Sequence, residues 1–214
     1  MNRQGDLSNS EIECYQPANV TTTGGALRIV SQVQSIVCNG NTYKYTSGMV
    51  QWTNFNFTYG TVEIRAKLAG GKGTWPALWF LGANCQASNI PGADNTGLCN
   101  WPQPGSDEID MTEIMRGNLT TVNQQVHSGG NNPGCAPTTS DVSQNWHIYG
   151  LDWTASSLVW KIDGVTTCTL TANIPSTPMF LIINTAIGGA GGGTVVNSTL
   201  PQTMLVDYVK VTKK

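Results

Sequence analysis

The sequence reads TVEIRAKL from Thr61 to Leu68, with apolar and polar residues in strict alternation. Successive side chains of a β-strand point to opposite faces, so every second residue of this run lies on one face. One face would carry the apolar residues Val62, Ile64, Ala66 and Leu68. The other would carry the charged residues Glu63, Arg65 and Lys67. This alternation is typical of a strand with one buried face.

Runs of the same kind recur along the chain, rich in Val, Ile, Thr, Tyr and Trp and separated by Gly, Asn and Pro. They are Trp75–Leu81, Glu108–Met115, Thr121–His127, Trp146–Trp153, Leu158–Asp163, Met179–Asn184 and Met204–Val211. The pair Asp163-Gly164 lies between two runs and predicts a hairpin. No stretch of ten residues has the apolar spacing of a helix. The sequence therefore predicts an all-β fold, a β-jelly-roll sandwich of two antiparallel sheets with a concave cleft.

No linker or change of composition divides residues 1–214, so we expect a single domain. The Gly-rich stretch Gly188–Gly193 is too short for a linker and is interpreted as a loop.

Charged residues make up 11% of the chain and the net charge is −2, with no basic run. This excludes a surface built to bind nucleic acid or anionic lipid. No apolar run approaches the roughly 18 residues that a membrane helix needs, so we expect no membrane partner. A neutral polar surface with seven Trp and six Tyr residues suits a neutral polar ligand, and sugars are the leading candidates.

The chain has six cysteines, none in a CxxC pair, and its histidines are His127 and His147. The spacing of zinc sites and redox motifs is therefore absent. An even number of scattered cysteines indicates disulfides and a secreted protein, the alternative being six buried thiols in a cytosolic one. Met1 is followed by hydrophilic residues that do not resemble a signal peptide, so either a leader has been trimmed or the protein is cytosolic. The cysteines favour a trimmed leader.

The most local cysteine pairing is Cys85 with Cys99, and the chain-entropy model gives such a link about 3 kcal/mol. The other pairings cannot be derived from the sequence. Cys14 with Cys38 and Cys135 with Cys168 are guesses.

Alternation also places polar and aromatic side chains together on the faces opposite the predicted core. In Trp75–Leu81 the residues Pro76, Leu78 and Phe80 read as core, which leaves Trp75 and Trp79 on the other face. In Thr121–His127 the corresponding face carries Asn123, Gln125 and His127. Tryptophan rings beside hydrogen-bonding side chains favour a sugar-binding face.

Four of the thirteen acidic residues lie between Asp107 and Glu113. Glu108 and Asp110 share a face by alternation, whereas Glu113 would point the opposite way. A single β-bulge at Met111-Thr112 shifts the alternation of faces by one residue, because the two residues would then oppose one residue of the neighbouring strand. The bulge would bring all three carboxyl groups onto one face.

Three aligned carboxyl groups repel one another, so at least one is expected to have a raised pKa. A glycosidase with two working carboxyl groups needs one neutral and one ionised. The alternatives are an acidic edge strand, which would not alternate its acids so regularly with Ile and Met, and a calcium site, which usually has Asp/Asn/Gly spacing.

The stretch EIDMTE, Glu108–Glu113, is similar to the active-site signature of glycoside hydrolase family 16 in its bulged, laminarinase-like form. Three further stretches resemble strands of that family: YGTVEIRAKL from Tyr59, GTWPALW from Gly73 and VDYVKV from Val206. The resemblance extends from about Tyr45 to the C-terminus. It implies a jelly roll whose concave sheet holds a sugar chain, and a retaining double displacement.

The resemblance implies that Glu108 is the nucleophile, Glu113 the general acid/base and Asp110 the residue that orients Glu108. It implies no cofactor for catalysis. The family's structural calcium site, on the convex side, has a ligand that matches Asp207 and others from an Asp-Glu-Phe strand that this sequence lacks. We therefore expect calcium only if the site survives at Asp207. The loop after Asn184–Gly189 also lacks a tryptophan that laminarinases often carry there, which indicates a weaker sugar subsite or another preference.

The predicted substrate-binding residues are Arg65, Trp75, Trp79, Trp101, Gln125 and His127. Arg65 would anchor Glu108 or a sugar hydroxyl, or neutralise the acids. Trp101 would stack on the sugar at the cleavage point, the alternative being that it packs its own loop. His127 would lie on the catalytic face or be a hydrogen-bonded residue of the sheet, whereas His147 is expected to be structural.

Together these features predict a secreted, monomeric endo-β-glucanase that cleaves internal β-1,3 bonds and, in mixed-linkage glucan, β-1,4 bonds. The first alternative is another family 16 hydrolase, acting on agar or carrageenan, although carrageenan calls for a basic cleft. A β-glucan-binding lectin or a structural jelly roll are alternatives that do not need the three carboxyl groups.

Overall fold

Sixteen β-strands in two sheets make up most of residues 3–86 and 99–213, the residues described in this computed structural model. The larger sheet contains β1 (Arg3–Gln4), β2 (Glu13–Tyr15), β3 (Val20–Thr23), β4 (Ala26–Cys38), β5 (Asn41–Ser47), β7 (Gly60–Lys67), β12 (His147–Trp153), β13 (Leu158–Ile162), β14 (Val165–Leu170) and β16 (Gln202–Lys213). The smaller sheet contains β6 (Met49–Gln51), β8 (Thr74–Gly82), β9 (Glu108–Glu113), β10 (Asn123–His127), β11 (Gly134–Cys135) and β15 (Met179–Ile187).

The larger sheet has the strand order β1-β2-β5-β4-β16-β7-β12-β13-β14, with β3 paired to β4. The smaller sheet has the order β11-β10-β9-β8-β15-β6. The predicted jelly-roll sandwich is confirmed. The strand pairs are antiparallel with one exception, the parallel pair of β2 and β5, between which the chain forms β3 and β4.

Helical structure among the described residues is short. It comprises α1 (Gly189–Gly192) and three 3-10 turns, at Pro17–Asn19, Ala83–Cys85 and Asn197–Thr199. The glycine-rich stretch predicted as a loop therefore contains one helical turn. Within the described part of the chain, no helix has the length and apolarity needed to cross a bilayer.

The core lies between the two sheets, where the alternation of the sequence places it. Val62, Ile64 and Ala66 of β7 are fully buried there and share one apolar cluster with Ile109 and Met111 of β9. Fully burying a Val, Ile or Met side chain contributes about 1.5–3 kcal/mol. The opposite face of β9 is left free to carry polar groups.

Arg65 does not lie in the cleft, and that part of the prediction is wrong. Its strand, β7, belongs to the larger sheet, so a face that points away from the core also points away from the smaller sheet. The Arg65 guanidinium lies 2.6 Å from an oxygen of Asp207 and 4.7 Å from the centre of the Trp146 ring. Arg65 is thus a surface residue on the outer face of the larger sheet.

The same contact bears on the expected calcium ligand. The Asp207 carboxylate is paired with the Arg65 guanidinium, a cation that would repel a metal ion in the same position. The residues around Asp207 therefore do not fit a calcium site.

The predicted hairpin and the predicted Cys85–Cys99 disulfide are present, and the two guessed disulfides are present as well. Asp163 and Gly164 connect β13 to β14 with φ angles of 52° and 80°, both in the left-handed region that this turn requires. The disulfides join Cys14 to Cys38, Cys85 to Cys99 and Cys135 to Cys168. The last of these ties β11 of the smaller sheet to β14 of the larger. The loop that the Cys85–Cys99 bond closes lies, from residue 87 to 98, outside the described residues.

Candidate active site

Strand β9 contains the predicted bulge. On its β10 side, Glu113 pairs with Asn123 and Asp110 pairs with Gln125. Met111 and Thr112 therefore lie together opposite the single residue Gln124. The prediction that these two residues oppose one neighbour is confirmed.

The bulge sorts the side chains of β9 into two sets. Ile109 and Met111, with Ile114 just beyond the strand, are buried in the core between the sheets. Glu108, Asp110 and Glu113 line one cavity on the opposite face. The side chains of Glu108 and Asp110 are 13% and 2% exposed, and Glu113 is 9% exposed. Three acidic groups are thus held close together with little access to water.

We call this the carboxylate cavity; it has a volume of about 230 Å³. Its aromatic lining consists of Tyr15, Trp75, Trp79 and Trp101. Five acidic residues also line it: Asp6, Glu11, Glu108, Asp110 and Glu113. Among the described residues that line the cavity there is no Lys or Arg. Its aromatic and acidic walls therefore favour a neutral, hydroxyl-rich ligand over an anionic one.

Glu113 is held by a tryptophan of the adjacent strand. The indole nitrogen of Trp75 donates a hydrogen bond of 2.8 Å to Oε1 of Glu113. Burial, and then the nearby charge of Asp110, raise the pKa of Glu113 well above its usual value, and the Trp75 hydrogen bond offsets part of that rise. A carboxyl group with these properties stays protonated at a pH where an exposed glutamate is ionised.

Glu108 lies at the other end of the acidic row. Burial raises the pKa of Glu108 well above its usual value, and the charges of Asp110 and Glu113 add to the effect. The indole of Trp101 acts in the opposite direction. The expectation that at least one of the three acids has a raised pKa is confirmed.

His127 lies between the acids and a loop residue. Its Nε2 is 3.3 Å from Oδ2 of Asp110 and 3.7 Å from Oε1 of Glu108, while its Nδ1 is 3.0 Å from Oδ1 of Asn132. Burial alone would lower the pKa of His127, but the hydrogen bond and charge of Asp110 outweigh burial and raise it. The imidazole is therefore placed to offset the negative charge of the acidic row.

Glu108, Asp110 and His127 also form the one group, within residues 3–86 and 99–213, whose ligand atoms lie close enough to hold a metal ion, within 4.8 Å of one another. The other histidine, His147, is buried in the larger sheet, where it contacts Asp163 at 2.7 Å and Ser140 at 3.2 Å. It lies outside the carboxylate cavity, as expected of a structural residue.

Five of the six predicted binding residues line the carboxylate cavity: Trp75, Trp79, Trp101, Gln125 and His127. Trp101 also packs against His127, with ring centres 5.6 Å apart. The sixth, Arg65, lies on the outer face of the larger sheet, as described above.

A hydrogen-bonded chain of side chains in the cavity lining was not predicted from the sequence. Trp79 donates to Oδ1 of Asn184 at 2.8 Å, and Asn184 in turn donates to the hydroxyl of Tyr15 at 2.9 Å. A sequence signal was present for Asn184, the one amide in the buried and mostly apolar strand β15. A buried amide needs hydrogen-bond partners and so marks a polar site.

The segment before β2 was not predicted either; it contributes Asp6, Ser8, Asn9 and Glu11 to the cavity wall. Two long-range hydrogen bonds bring it there, from Ile12 N to Ile187 O at 3.0 Å and from Ala190 N to Asn9 O at 2.9 Å. No local pattern in the sequence encodes such contacts.

A buried acidic pair next to this segment gives a prediction about stability. Glu13 is 0% exposed and accepts a hydrogen bond of 2.7 Å from the Ile187 amide. Burial raises the pKa of Glu13 well above its usual value, and neighbouring Glu11 adds to the effect. A folded-state pKa above the unfolded one means that the folded protein binds more protons. The stability is then fully present below the unfolded pKa and is lost as the pH rises through the folded pKa.

We therefore expect thermal melts to show a melting temperature that falls from pH 5 to pH 8, with Glu13 among the causes. Glu13→Gln, which mimics the protonated carboxyl group, should make the fall shallower. Glu63→Gln, on the exposed outer face, is the control and should keep the wild-type slope. A melting temperature that rises with pH in the wild type, or an unchanged slope in Glu13→Gln, would contradict this account.

The chain resembles known proteins over most of its length. The family model for glycosyl hydrolases family 16 matches residues 15–210. An endo-1,3-1,4-beta-glycanase, EglC, of Rhizobium meliloti (strain 1021) is 35% identical over 211 residues, which cover 92% of this chain and 41% of that protein. The chain thus spans less than half of that relative's length. A beta-glucanase of Rhodothermus marinus is 30% identical, covering 95% of this chain and 74% of that protein.

The fold is shared with solved structures. The laminarinase catalytic domain of Thermotoga maritima MSB8 superposes with a TM-score of 0.84 at 32% sequence identity. The match covers 97% of this chain and 85% of that one.

Proposed function

The chain belongs to glycosyl hydrolase family 16, and from this premise we propose that it is a retaining endo-β-glucanase that hydrolyses internal β-1,3 bonds. The proposal covers residues 1–214 as one catalytic domain. Mixed β-1,3/1,4-glucan is included as a substrate, because the relatives named above comprise an endo-1,3-1,4-beta-glycanase and a beta-glucanase.

One observation carries the proposal: the bulge of β9 turns Glu108, Asp110 and Glu113 into a single cavity walled by tryptophans. A binding protein or a structural jelly roll would have no use for three buried, mutually repelling carboxyl groups. Such an arrangement destabilises the ionised forms and is expected where proton transfer is needed.

In the proposed reaction, Glu113 is the general acid. It protonates the glycosidic oxygen while the carboxylate of Glu108 attacks the anomeric carbon, and the bond to the leaving sugar breaks. Glu113, now ionised, then takes a proton from a water molecule that displaces Glu108 from the glycosyl-enzyme. Two displacements return the β-configuration. This mechanism calls for the two working carboxyl groups to be about 5–5.5 Å apart.

Asp110 and His127 support the nucleophile in this proposal. The contacts of His127 with Asp110 at 3.3 Å and with Glu108 at 3.7 Å place an imidazole with a raised pKa beside the two acids, and its protonated form is a cationic donor. That donor favours the ionised form of Glu108 that attack requires. The carboxyl pair supplies both acid and nucleophile, so the mechanism needs no cofactor, and we assign no step to a metal.

The substrate is proposed to lie along the aromatic wall. Trp75, Trp79 and Trp101 would stack on sugar rings, and Gln125 and His127 would bind hydroxyl groups. The absence of Lys and Arg from the described lining disfavours sulfated polysaccharides such as carrageenan. We further propose that the protein is secreted, which its three disulfides support, and that it acts as a monomer.

Another polysaccharide hydrolase of the same family, such as an agarase, is the alternative within the enzyme class, and a β-glucan-binding lectin on the same fold is the alternative outside it. Laminarin, mixed-linkage β-glucan and agarose distinguish these functions when new reducing ends, product size and the anomeric configuration at early times are followed by NMR. We expect oligosaccharides from laminarin that appear first as β-anomers. Agarose as the best substrate would favour the agarase, and binding without new reducing ends would favour the lectin. Early α-anomers would contradict retention.

A further inference from the structure

Gly191 packs against the face of a tryptophan in the carboxylate cavity. A Cβ atom built on Gly191 would overlap Cδ2 and Cε2 of Trp75 and would come within 2.5 Å of its Cε3. Carbon atoms in ordinary contact are about 3.5–4.0 Å apart. The backbone of α1 can therefore approach the indole ring only because residue 191 has no side chain.

The backbone conformation does not explain this glycine. Gly188, Gly189 and Gly193 have φ angles of 73°, 65° and 69°, in the region that favours glycine. Gly191 is not among the residues with positive φ. An alanine could adopt its conformation, and the obstacle to one is the Trp75 ring.

Helix α1 is also fixed in its position against the ring. The amide of Arg116 donates a hydrogen bond of 2.6 Å to the Gly191 carbonyl, and Arg116 follows shortly after β9. The amide of Ala190 donates to the carbonyl of Asn9 at 2.9 Å. The helical turn is therefore tied both to the strand that carries Glu113 and to the segment that walls the cavity, so the Trp75 ring is the part that would move.

Movement of the ring would affect Glu113 directly. Trp75 donates its 2.8 Å hydrogen bond to Oε1 of Glu113 from the ring that Gly191 contacts. To restore an ordinary carbon–carbon distance, the ring would have to shift by roughly 1.5 Å. A hydrogen bond lengthened by that amount is no longer one.

We propose that Gly191 is a positioning residue for the acid/base: its missing side chain sets the plane of Trp75 and, through the Trp75 N–H, the orientation of the Glu113 carboxyl group. This inference rests on the proposed function of Glu113. It concerns how the acid is held and does not depend on which glucan is the substrate.

The leaving group of the substrate separates this role from a merely structural one. Protonation by Glu113 matters for the poor leaving group in laminarin and little for an aryl β-laminaribioside with a good leaving group, as long as kcat/KM reports the first displacement. For Gly191→Ala we expect kcat/KM on laminarin to fall about 10–100-fold, since a 1 Å misplacement can cost about 10²-fold. On the aryl substrate it should stay within about threefold of wild type. Trp75→Phe removes the same hydrogen bond together with part of the stacking surface, so its loss should also be larger on laminarin than on the aryl substrate.

Two further readouts apply to the same variants. Loss of the Trp75 hydrogen bond removes an influence that lowers the pKa of Glu113, so the basic limb of the laminarin pH profile should move to higher pH. Gly191→Ala should lower kcat/KM on laminarin less in the Trp75→Phe variant than in the wild type. Ala190→Ser, at an exposed neighbouring position, is the matched control and should match wild type in each assay.

Equal losses on both substrates, an unmoved pH profile or wild-type activity in Gly191→Ala would each overturn the proposal. If Gly191→Ala does not fold, the double variant Gly191→Ala/Trp75→Leu removes the overlap with the ring, and folding should return. A double variant that also fails to fold would contradict the claim that the Trp75 ring is the obstacle. If the wild type does not hydrolyse glucans, the proposed function fails separately. The indole N–H resonance of Trp75, assigned by its absence in Trp75→Phe, should still shift in Gly191→Ala.

Discussion

Replacing Glu108 by glutamine should abolish hydrolysis of laminarin and of aryl β-glucosides alike. Glutamine keeps the size of the side chain and a hydrogen-bonding oxygen, but it cannot attack the anomeric carbon as a carboxylate does. Loss of a nucleophile removes the whole covalent route, so we expect a fall in kcat of at least about 10⁴-fold. The measurement is the rate of release of reducing ends and of the aryl group at saturating substrate.

Glu63→Gln is the matched control, because Glu63 lies on the outer face of the larger sheet, away from the carboxylate cavity. This glutamate is half-exposed and pairs with Lys210 at 3.4 Å. It should retain wild-type activity. Glu108→Gln with activity within tenfold of wild type would show that Glu108 is not the nucleophile. Melting temperatures of both variants establish that each is folded.

Glu113→Ala should lose about 10²–10⁴-fold on laminarin, the usual effect of removing a positioned acid/base. With an aryl glycoside the first displacement needs no proton, so the glycosyl-enzyme should still form and accumulate. Azide can then enter the space that Glu113 vacates, attack the glycosyl-enzyme and release a β-glycosyl azide with the retained configuration.

The corresponding experiment on Glu108→Ala gives the opposite configuration. Without the nucleophile, azide can only attack directly from the face opposite the leaving group, and the product is an α-glycosyl azide. NMR of the two azides therefore separates the roles. The reverse pair of products would show that the two assignments are exchanged, and near wild-type activity of both variants would exclude β9 as the active site.

Strand β9 could be predicted from the sequence because its signal is local. In EIDMTE, the apolar residues Ile109 and Met111 fix one face, and the position of Glu113 requires one extra residue to keep the acids together. The bulge and the shared face follow from that arithmetic, whereas the raised pKa values of Glu108 and Glu113 come mainly from burial, to which the repulsion between the acids adds.

Arg65 shows where local reasoning fails. Alternation correctly gives the face of β7 that carries Arg65, but it cannot give the sheet to which β7 belongs. The polar face of a strand is a cleft face in one sheet and an outer face in the other. Sheet membership depends on long-range pairing, here with β12 and β16.

Residues that reach the site from distant parts of the chain were beyond prediction for the same reason. Asn9 and Glu11 become part of the cavity wall only through contacts with residues near 187–190. Gly191 is one of many glycines in the sequence, and only the position of Trp75 distinguishes it. Asn184 was the exception, since a lone amide in a mostly apolar strand is visible in the sequence.

The central claim, that Glu108 forms a covalent glycosyl-enzyme, is tested most directly by trapping that intermediate. Fluorine at C2 of the sugar destabilises the cationic transition states of both displacements, and a good aryl leaving group then drives the first displacement alone. Wild-type protein incubated with an aryl 2-deoxy-2-fluoro-β-laminaribioside should gain the mass of one glycosyl group, and peptide mapping should find it on Glu108. A label on Asp110 or Glu113, or turnover to an α-product without any label, would contradict the account.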